Sequence, residues 1–366
     1  MKGRRPCDRV LLTCVLVLLL IGILMVFSSS FYYSLQRFSD PYYFLKKELL
    51  WAGVGLVAMT VFTHLRYQRL KKWAVPGLAV LFALLVAVLF TKEINGARRW
   101  ISIAGVTLMP GELAKPTIAL FLAAMLSKDA GGIRRLKDAL PYLAVLVAVF
   151  ALIVKQPNLS TALIVFSMGF VQLILAGLPL VWVFGGVGVG GAAAAGLILT
   201  SEYRMERFTT FLDPFKDTSE KGWQVIQSLY ALGSGGLFGV GMGESIQNKL
   251  YLPEPQNDFI FATIGEEFGY LGSMAVILLF VVLLWRGVKI ALGARDRFGF
   301  FLAAGITATI GIQTLLNIAV ATSSMPVTGV PLPFISYGGN SLALLLAQMG
   351  ILLNISKNGA PEERES

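Results

Sequence analysis

Long apolar runs separated by polar connections are the feature that most constrains what this chain can fold into. A helix needs about 20 predominantly apolar residues to cross a hydrocarbon core roughly 30 Å thick. Charged residues make up only 14% of the sequence, whereas soluble domains carry about 25%, so lipid must solvate much of the surface. The candidate spans lie near residues 9–29, 48–64, 73–91, 112–127, 139–155, 160–177, 179–200, 262–285, 299–321 and 340–355. The sequence therefore predicts an all-α, polytopic integral membrane protein with about ten transmembrane helices in a single domain, residues 1–366.

The distribution of Lys and Arg predicts how these helices are oriented. Basic residues concentrate in alternate connections, such as 66–72 and 128–137, and before the first run. Cytoplasmic connections of membrane proteins carry this excess, so we expect both termini to be cytosolic. The net charge of +10 is then explained by contact with anionic membrane lipid, and nucleic acid is not an expected partner.

Three connections on the predicted outer side are too elaborate for simple hairpin loops. They are residues 91–110, the long connection of about residues 201–264 between the seventh and eighth helices, and residues 322–340. Loops longer than about 15 residues are usually functional or disordered, and the many aromatic residues here argue against disorder. Pro and Gly in 322–340 favour a broken helix beside a cavity, because irregular backbone at membrane depth needs protein or water around it. Their common side predicts one outward-facing site.

Asp258 is the leading candidate for chemistry. It separates the polar stretch PEPQN from the apolar stretch FIF at the start of the eighth run. A carboxylate at such a boundary is suited to act as a general base. Alternatively, Asn257 or Asp258 caps the helix by accepting backbone N–H groups. The residues alone leave both roles open.

Charged residues in the first outer connection form a second set of candidates. Glu112 and Lys115 are three residues apart and share a helical face, so they form either a structural ion pair or part of an anion site. Arg98 and Arg99 suit a diphosphate, because guanidinium groups donate hydrogen bonds in a planar fork. Ordinary surface charge explains the two arginines equally well.

Further candidates lie near Asp258 and in the third connection. Glu266 follows Asp258 by about two helical turns on a similar face, and ionisable groups inside a span usually face the bundle interior. The glycine-rich stretch 233–245 lacks the preceding strand of a dinucleotide site and favours tight turns and re-entrant packing. The sequence has one His and two Cys, so no metal site of those ligands is predicted. The candidate substrate-binding residues are Arg98, Arg99, Glu112, Lys115, Lys249, Glu266 and Ser336.

Six motifs in order resemble the SEDS family (shape, elongation, division and sporulation), the FtsW, RodA and SpoVE polymerases of bacterial cell-wall synthesis. They are NGARRW at 95–100, PGELAKP at 110–116, KQPNLSTA at 155–162, IQSLYALGSGGLFGVGMGES at 226–245, LPEPQNDFIFATIGEEFG at 252–269 and PVTGVPLPFISYGGNSL at 326–342. Segment 223–272 is most similar to the division and sporulation branch. Two departures are Gly111, where the family usually has Ser, and Asn158, where it often has Asp.

The resemblance implies a fold, an activity and a site. It implies ten transmembrane helices with both ends inside, in a bacterial cytoplasmic membrane. It implies a peptidoglycan glycosyltransferase that polymerises lipid II onto a glycan carried by undecaprenyl diphosphate, with Asp258 as the essential residue. A class B penicillin-binding protein is the implied partner. Either Arg98, Arg99 and Lys115 or a divalent cation, Mg²⁺ or Mn²⁺, would offset the charge of the leaving diphosphate.

Two other functions compete with this expectation. Ten helices with broken segments also fit a transporter or lipid II flippase, but a flippase should carry polar groups along a path between both faces. The polar segments here gather on one side. A non-catalytic division scaffold is the second rival, and it has no need for a carboxylate at a buried boundary.

Overall fold

The computed structural model describes residues 6–93, 98–103, 106–128, 131–200, 205, 208–209, 211–215, 220–249 and 251–359, and most of these residues are helical. The α-helices are α1 (Arg9–Phe38), α2 (Tyr43–His64), α3 (Ala74–Ala87), α4 (Pro110–Leu126), α5 (Leu136–Val154), α6 (Leu159–Leu175), α7 (Leu180–Leu199), α8 (Glu220–Ser234), α9 (Ile260–Leu292), α10 (Arg297–Ala321) and α11 (Asn340–Lys357). Short 3₁₀ helices, Tyr67–Trp73 and Val88–Phe90, flank α3. Strands β1 (Ile101–Ile103) and β2 (Val106–Leu108) complete the described elements.

Every predicted apolar run coincides with a helix to within a few residues at most boundaries. Five helical segments are long and apolar enough to cross a membrane: Arg9–Phe38, Tyr67–Phe90, Leu136–Val154, Ile260–Leu292 and Arg297–Ala321. The mostly helical, membrane-type architecture is therefore confirmed. The count of ten spans and the side on which the termini lie stay predictions.

The distribution of side chains on α1 is inverted relative to a water-soluble helix. Ser28, Ser29 and Ser30 are buried, whereas Leu20 and Leu24 are exposed. Water would make that arrangement costly, but hydrocarbon solvates exposed leucines and leaves polar groups to find partners inside the bundle. The pattern indicates that lipid surrounds the helices.

Two observations correct the expected all-α architecture and its long loop. Strands β1 and β2 pair antiparallel, with Ile101 opposite Leu108 and Ser102 opposite Thr107. Ile101 and Thr107 are β-branched, and such side chains favour a pleated, half-buried surface. The long connection is not all loop, because it contains α8, and residues 201–204, 206–207, 210, 216–219 and 250 lie outside the described part.

Helix α9 is broken at Gly269, whose φ of 67° and ψ of −163° are not helical. The carbonyls of Glu266 and Glu267, released from helical bonding there, accept hydrogen bonds from the N–H groups of Val240 and Gly241, each at 3.0 Å. Beyond the break, the Tyr270 N–H donates to the Gly236 carbonyl at 2.9 Å. The stretch 233–245, hereafter the glycine-rich loop, therefore docks into the interrupted helix, which agrees with the predicted re-entrant packing.

Candidate active site

Asp258 lies in a turn immediately before α9, where it is half-buried. The helix begins at Ile260 with Phe259 at the N-cap position and no side-chain cap bond. The N-cap position is therefore one residue beyond Asp258, and the capping role of Asn257 or Asp258 stays a prediction. The side chain lies close to Gly329, since a Cβ built there would stand 3.5 Å from Asp258 Oδ2. The carboxylate of Asp258 thus borders the third connection.

A buried amide joins the backbone of Asp258 to the third connection. Asn317, on α10, donates from Nδ2 to the carbonyl of Asp258 at 2.9 Å and to the carbonyl of Val330 at 2.8 Å. Nearby, the Tyr337 N–H donates to the carbonyl of Gln256 at 2.9 Å. The turn that carries Asp258 is therefore bonded to the segment 326–339 at two places.

The other predicted connections reach the same end of the bundle. Ser160, at the start of α6, donates from Oγ to the Thr328 carbonyl at 2.6 Å. Arg99, just before β1, donates from Nε to the carbonyl of Gln156 at 3.1 Å and also donates from Nη2 to the carbonyl of Pro157. All three connections therefore meet, as predicted, at the end of the bundle that carries Asp258, hereafter the site end.

Glu112 and Lys115 form a buried ion pair with their charged atoms 2.8 Å apart and with side-chain exposures of 13% and 5%. Lys115 Nζ also donates to Gln313 Oε1 at 3.0 Å. Gln313 in turn donates from Nε2 to the carbonyl of Pro331 at 2.9 Å. The pair is thus linked through α10 to the third connection.

A cavity of about 30 Å³ lies beside this chain of hydrogen bonds. Glu112, Lys115, Gln313, Ser336 and Gln348 line it together with residues 331–334. The irregular segment predicted to border a cavity does so. Asp258 is not among the lining residues, so its carboxylate lies outside the cavity.

The remaining predicted residues have different surroundings. Arg98 is exposed, donates from Nη1 to the carbonyl of Leu89 at 3.2 Å and has Nε 3.9 Å from an oxygen of Glu93. Lys249 is exposed near the end of the glycine-rich loop. Ser336 is buried, and its Oγ accepts the Leu332 N–H at 2.7 Å. Residues 95–97 of the NGARRW motif lie outside the described part of the chain.

Glu266 is buried and holds the end of the glycine-rich loop. Its Oε1 accepts the N–H groups of Ile246 at 2.9 Å and Gln247 at 3.4 Å, while Ser245 Oγ donates to its Oε2. A carboxylate engaged by three loop donors stabilises that loop directly. Its predicted contact with substrate stays a prediction.

Two residues that matter for the geometry escaped the sequence analysis. Gln313 and Asn317 stand four residues apart on α10 and both bind carbonyls of the third connection. The available signal was the presence of carboxamides inside an apolar run, since polar groups within a span usually face the bundle interior.

The contact made by Tyr337 also escaped the sequence analysis. Burial, with contributions from the charges of Glu48 and Tyr43, raises the pKa of Tyr337 to about 12. Its phenol is therefore neutral near pH 7.

The apolar helices, the buried polar groups and the cavity together define a multi-pass membrane protein with a polar site at one end of its helix bundle. Comparison with known sequences narrows that class. The chain belongs to the FtsW/RodA/SpoVE family, described as "Cell cycle protein", whose sequence model matches residues 8–360. The family resemblance inferred from the six motifs is therefore confirmed.

Two curated relatives are similar over nearly the whole chain. Stage V sporulation protein E of Bacillus subtilis (strain 168) is 42% identical over 355 residues, covering 96% of this chain and 97% of the relative. The probable peptidoglycan glycosyltransferase FtsW of Trichlorobacter lovleyi is 42% identical over 353 residues, covering 95% of this chain and 93% of the relative. The match therefore includes every segment of the site end.

Solved structures share the fold. A chain from a structure described as the structural coordination of polymerization and crosslinking by a peptidoglycan synthase complex has a TM-score of 0.80 and 30% identity, covering 96% of this chain and 97% of that one. The crystal structure of Thermus thermophilus rod shape determining protein RodA has a TM-score of 0.73 and 28% identity, covering 97% of this chain and 98% of that one. The helical arrangement described above is thus the arrangement of this family.

Proposed function

We propose that this protein is a peptidoglycan glycosyltransferase that polymerises lipid II at the outer face of the cytoplasmic membrane, with Asp258 as its general base. The main support is the position of Asp258, a half-buried carboxylate beside the segment 326–339, where three connections meet. Its family membership and its 42% identity to a protein named probable peptidoglycan glycosyltransferase support the same reaction.

The reaction requires a proton acceptor at the sugar hydroxyl. The 4-hydroxyl of lipid II attacks the anomeric carbon of the growing glycan, and Asp258 takes the hydroxyl proton as the new carbon–oxygen bond forms. The bond from the anomeric carbon to the diphosphate breaks, and undecaprenyl diphosphate leaves with the electron pair. Half-burial suits the base, because a water-poor surrounding strengthens its interaction with the hydroxyl.

Cationic residues of the first connection are suited to the leaving diphosphate. We assign this role to Arg98, which is exposed, and to Lys115, which reaches the cavity. Arg99 already donates to the carbonyls of Gln156 and Pro157, so it orients the connection. Charge stabilisation of this kind is often the largest contribution to catalysis.

A divalent cation is a further candidate for the diphosphate. Within the ranges that the structure describes, no three His, Cys, Asp or Glu side chains come together as a possible metal site. A Mg²⁺ or Mn²⁺ ion would therefore take most of its oxygen ligands from the substrate and from water, which is common for Mg²⁺.

The proposed partner is a class B penicillin-binding protein that crosslinks the new strand. The similar chain from a peptidoglycan synthase complex, in which polymerization is coordinated with crosslinking, supports a partner of this kind. Lipid II and the glycan on undecaprenyl diphosphate are the proposed substrates, delivered within the membrane.

The test is polymerisation of lipid II by the purified protein with its transpeptidase partner, followed as glycan strands on a gel. Asp258→Asn keeps the side-chain shape and removes the base, so the rate should fall by roughly 10²–10⁴. The control is Glu254→Gln, which alters an exposed carboxylate in the same turn and should stay within about twofold of the unmodified rate.

Strands made at the normal rate by Asp258→Asn would refute the assignment of the base. Wild-type protein that moves lipid II across vesicles without linking it would support a flippase instead. If Asp258→Asn lost both strand synthesis and partner binding, the result would favour the scaffold function. Co-purification of the partner is therefore measured on the same samples.

A further inference from the structure

We propose that Asn317 is a positioning residue that holds the backbone of Asp258 and the wall beside its carboxylate in one geometry. This inference rests on the proposed function, because it concerns the position and orientation of the general base. Asn317 itself lies on α10 and bonds to the base through a backbone carbonyl, so it acts through Asp258.

The two hydrogen bonds of Asn317 use both protons of its amide nitrogen. Nδ2 donates to the carbonyl of Asp258 at 2.9 Å and to the carbonyl of Val330 at 2.8 Å. The side chain is only 1% exposed. Rotating the amide by half a turn would place Oδ1 against two carbonyl oxygens, so the orientation is fixed. Oδ1 itself makes no hydrogen bond to any described residue.

The bonded carbonyls belong to the two segments that surround the Asp258 carboxylate. One is the carbonyl of Asp258, and the other belongs to the residue directly after Gly329, whose built Cβ would stand 3.5 Å from Asp258 Oδ2. A single rigid side chain therefore fixes both the backbone from which the Asp258 carboxylate extends and the segment that faces this carboxylate. Displacing a catalytic group by about 1 Å can cost about 10²-fold in rate.

Helix α10 is suited to anchor this turn. Helix α9 starts after Asp258 without a side-chain cap bond, and Glu254, four residues earlier, has a φ of 47°. Helix α10 is continuous between residues 297 and 321, so it offers a rigid support. Gln313, one turn before Asn317, bonds the neighbouring Pro331 carbonyl, which extends the same support along the segment.

A matched residue at the other end of the bundle separates positioning from ordinary stability. Asn354 on α11 is 3% exposed and also joins two backbone groups, donating to the Thr63 carbonyl at 2.8 Å and accepting the Tyr67 N–H at 3.1 Å. Asp at either position keeps the shape and removes the amide donors. The change at 317 removes two donated hydrogen bonds near Asp258, and the change at 354 removes the one donated to Thr63, far from Asp258. Both changes place a carboxylate in a buried position.

The experiment measures the maximal rate and the KM for lipid II, together with the thermal midpoint, for the complex of the full chain with its transpeptidase partner. We expect Asn317→Asp to lower the maximal rate by at least tenfold with KM within about twofold. Asn354→Asp should also lower the thermal midpoint, because it breaks a buried bond, but should leave the maximal rate within about twofold. Asn317→Gln restores the donors on a longer arm and should recover part of the rate.

Three results would overturn the inference: an unchanged maximal rate in Asn317→Asp, an equal loss in Asn354→Asp, or equal rates in Asn317→Asp and Asn317→Gln. If Asn317→Asp does not fold, Asn317→Leu, which also lacks the donors but adds no charge, takes its place, and a wild-type maximal rate in Asn317→Leu would refute positioning. Asp258→Asn is assayed in parallel. Full activity in Asp258→Asn would refute the proposed function, whereas its inactivity beside an active Asn317→Asp would refute only this inference.

Discussion

At the scale of single residues, the geometry of Glu112 and Lys115 suits both a structural and a functional role. Their charged atoms are 2.8 Å apart in a nearly dry surrounding, and removing one partner would leave an uncompensated charge. The pair also lines the cavity and bonds Gln313. Both interpretations offered by the sequence are therefore compatible with the geometry.

Two variants distinguish these roles. Lys115→Met leaves Glu112 unpaired and should destabilise the protein by roughly 3–5 kcal/mol, the usual cost of breaking a buried pair. The double variant Lys115→Met/Glu112→Leu removes both charges and should recover most of that stability. If the pair also binds substrate, the double variant stays inactive. Thermal unfolding in detergent and strand synthesis are measured on each protein.

A double variant that regained both stability and activity would restrict the pair to a structural role. A single variant as stable as the wild type would contradict the burial argument itself, because exposed pairs are the ones that contribute little.

The sequence predicted those residues of the site whose charge stands out from their neighbours in the chain. Asp258, Glu112 and Lys115 stand out because a charge beside an apolar run is expensive to bury. Asn317 and Gln313 are neutral and sit within an apolar helix, so their importance depends on carbonyls that arrive from distant parts of the chain. Such contacts are fixed by tertiary packing, which spacing along one helix does not encode.

At the scale of elements, the break in α9 depends on close approach between two backbones. Gly239 has a φ of 82°, and a Cβ on it would lie 2.1 Å from the Glu267 carbonyl oxygen. Gly243 has a φ of 80° with open space around its Cβ position. Both residues meet the backbone penalty of a left-handed conformation, but only Gly239 also meets a steric barrier.

We therefore expect Gly239→Ala to destabilise the protein clearly more than Gly243→Ala. The Tyr270 amide, bonded to the Gly236 carbonyl, should exchange its hydrogen faster in Gly239→Ala because the loop can no longer dock. Thermal unfolding and hydrogen exchange measure both effects. Equal destabilisation by the two alanines would mean that the close contact is not maintained.

The elements themselves followed from the apolar runs, while their ends did not. Helix α1 continues to Phe38, although the predicted span ended at 29. Ser28, Ser29 and Ser30 look like a terminus in sequence, but they are buried inside the bundle, where Ser28 donates to Glu267 Oε1. The strands β1 and β2 were missed because three-residue strands give no measurable periodicity.

At the scale of the whole molecule, the end of the bundle opposite the site is closed by a buried ion pair. Asp8 caps α1 by accepting the Leu11 N–H at 2.9 Å and also accepts from Nε of Arg286 at 2.8 Å. Arg286 lies 17 residues beyond the break at Gly269, about 26 Å along the second part of α9. The ion pair therefore joins the start of α1 to the part of α9 that is remote from the glycine-rich loop.

Arg286→Met should destabilise the protein by roughly 3 kcal/mol, because Asp8, whose side chain is 4% exposed, loses its counter-charge. The control is Lys46→Met, which breaks the exposed pair with Asp40 and should change stability little. Thermal unfolding of both variants is compared in detergent at one salt concentration. Equal shifts would show that burial does not set the strength of these pairs.

The two bonds made by Asn317 also have a consequence for biosynthesis. They join residues separated by 59 and 13 positions in the chain, and a ribosome delivers Asp258 long before Val330. The bond to Asp258 can form once α10 has been made, but the bond to Val330 must wait for the segment that follows. We therefore expect a nascent chain halted before residue 330 to hold the turn at 258 without the wall that faces its carboxylate.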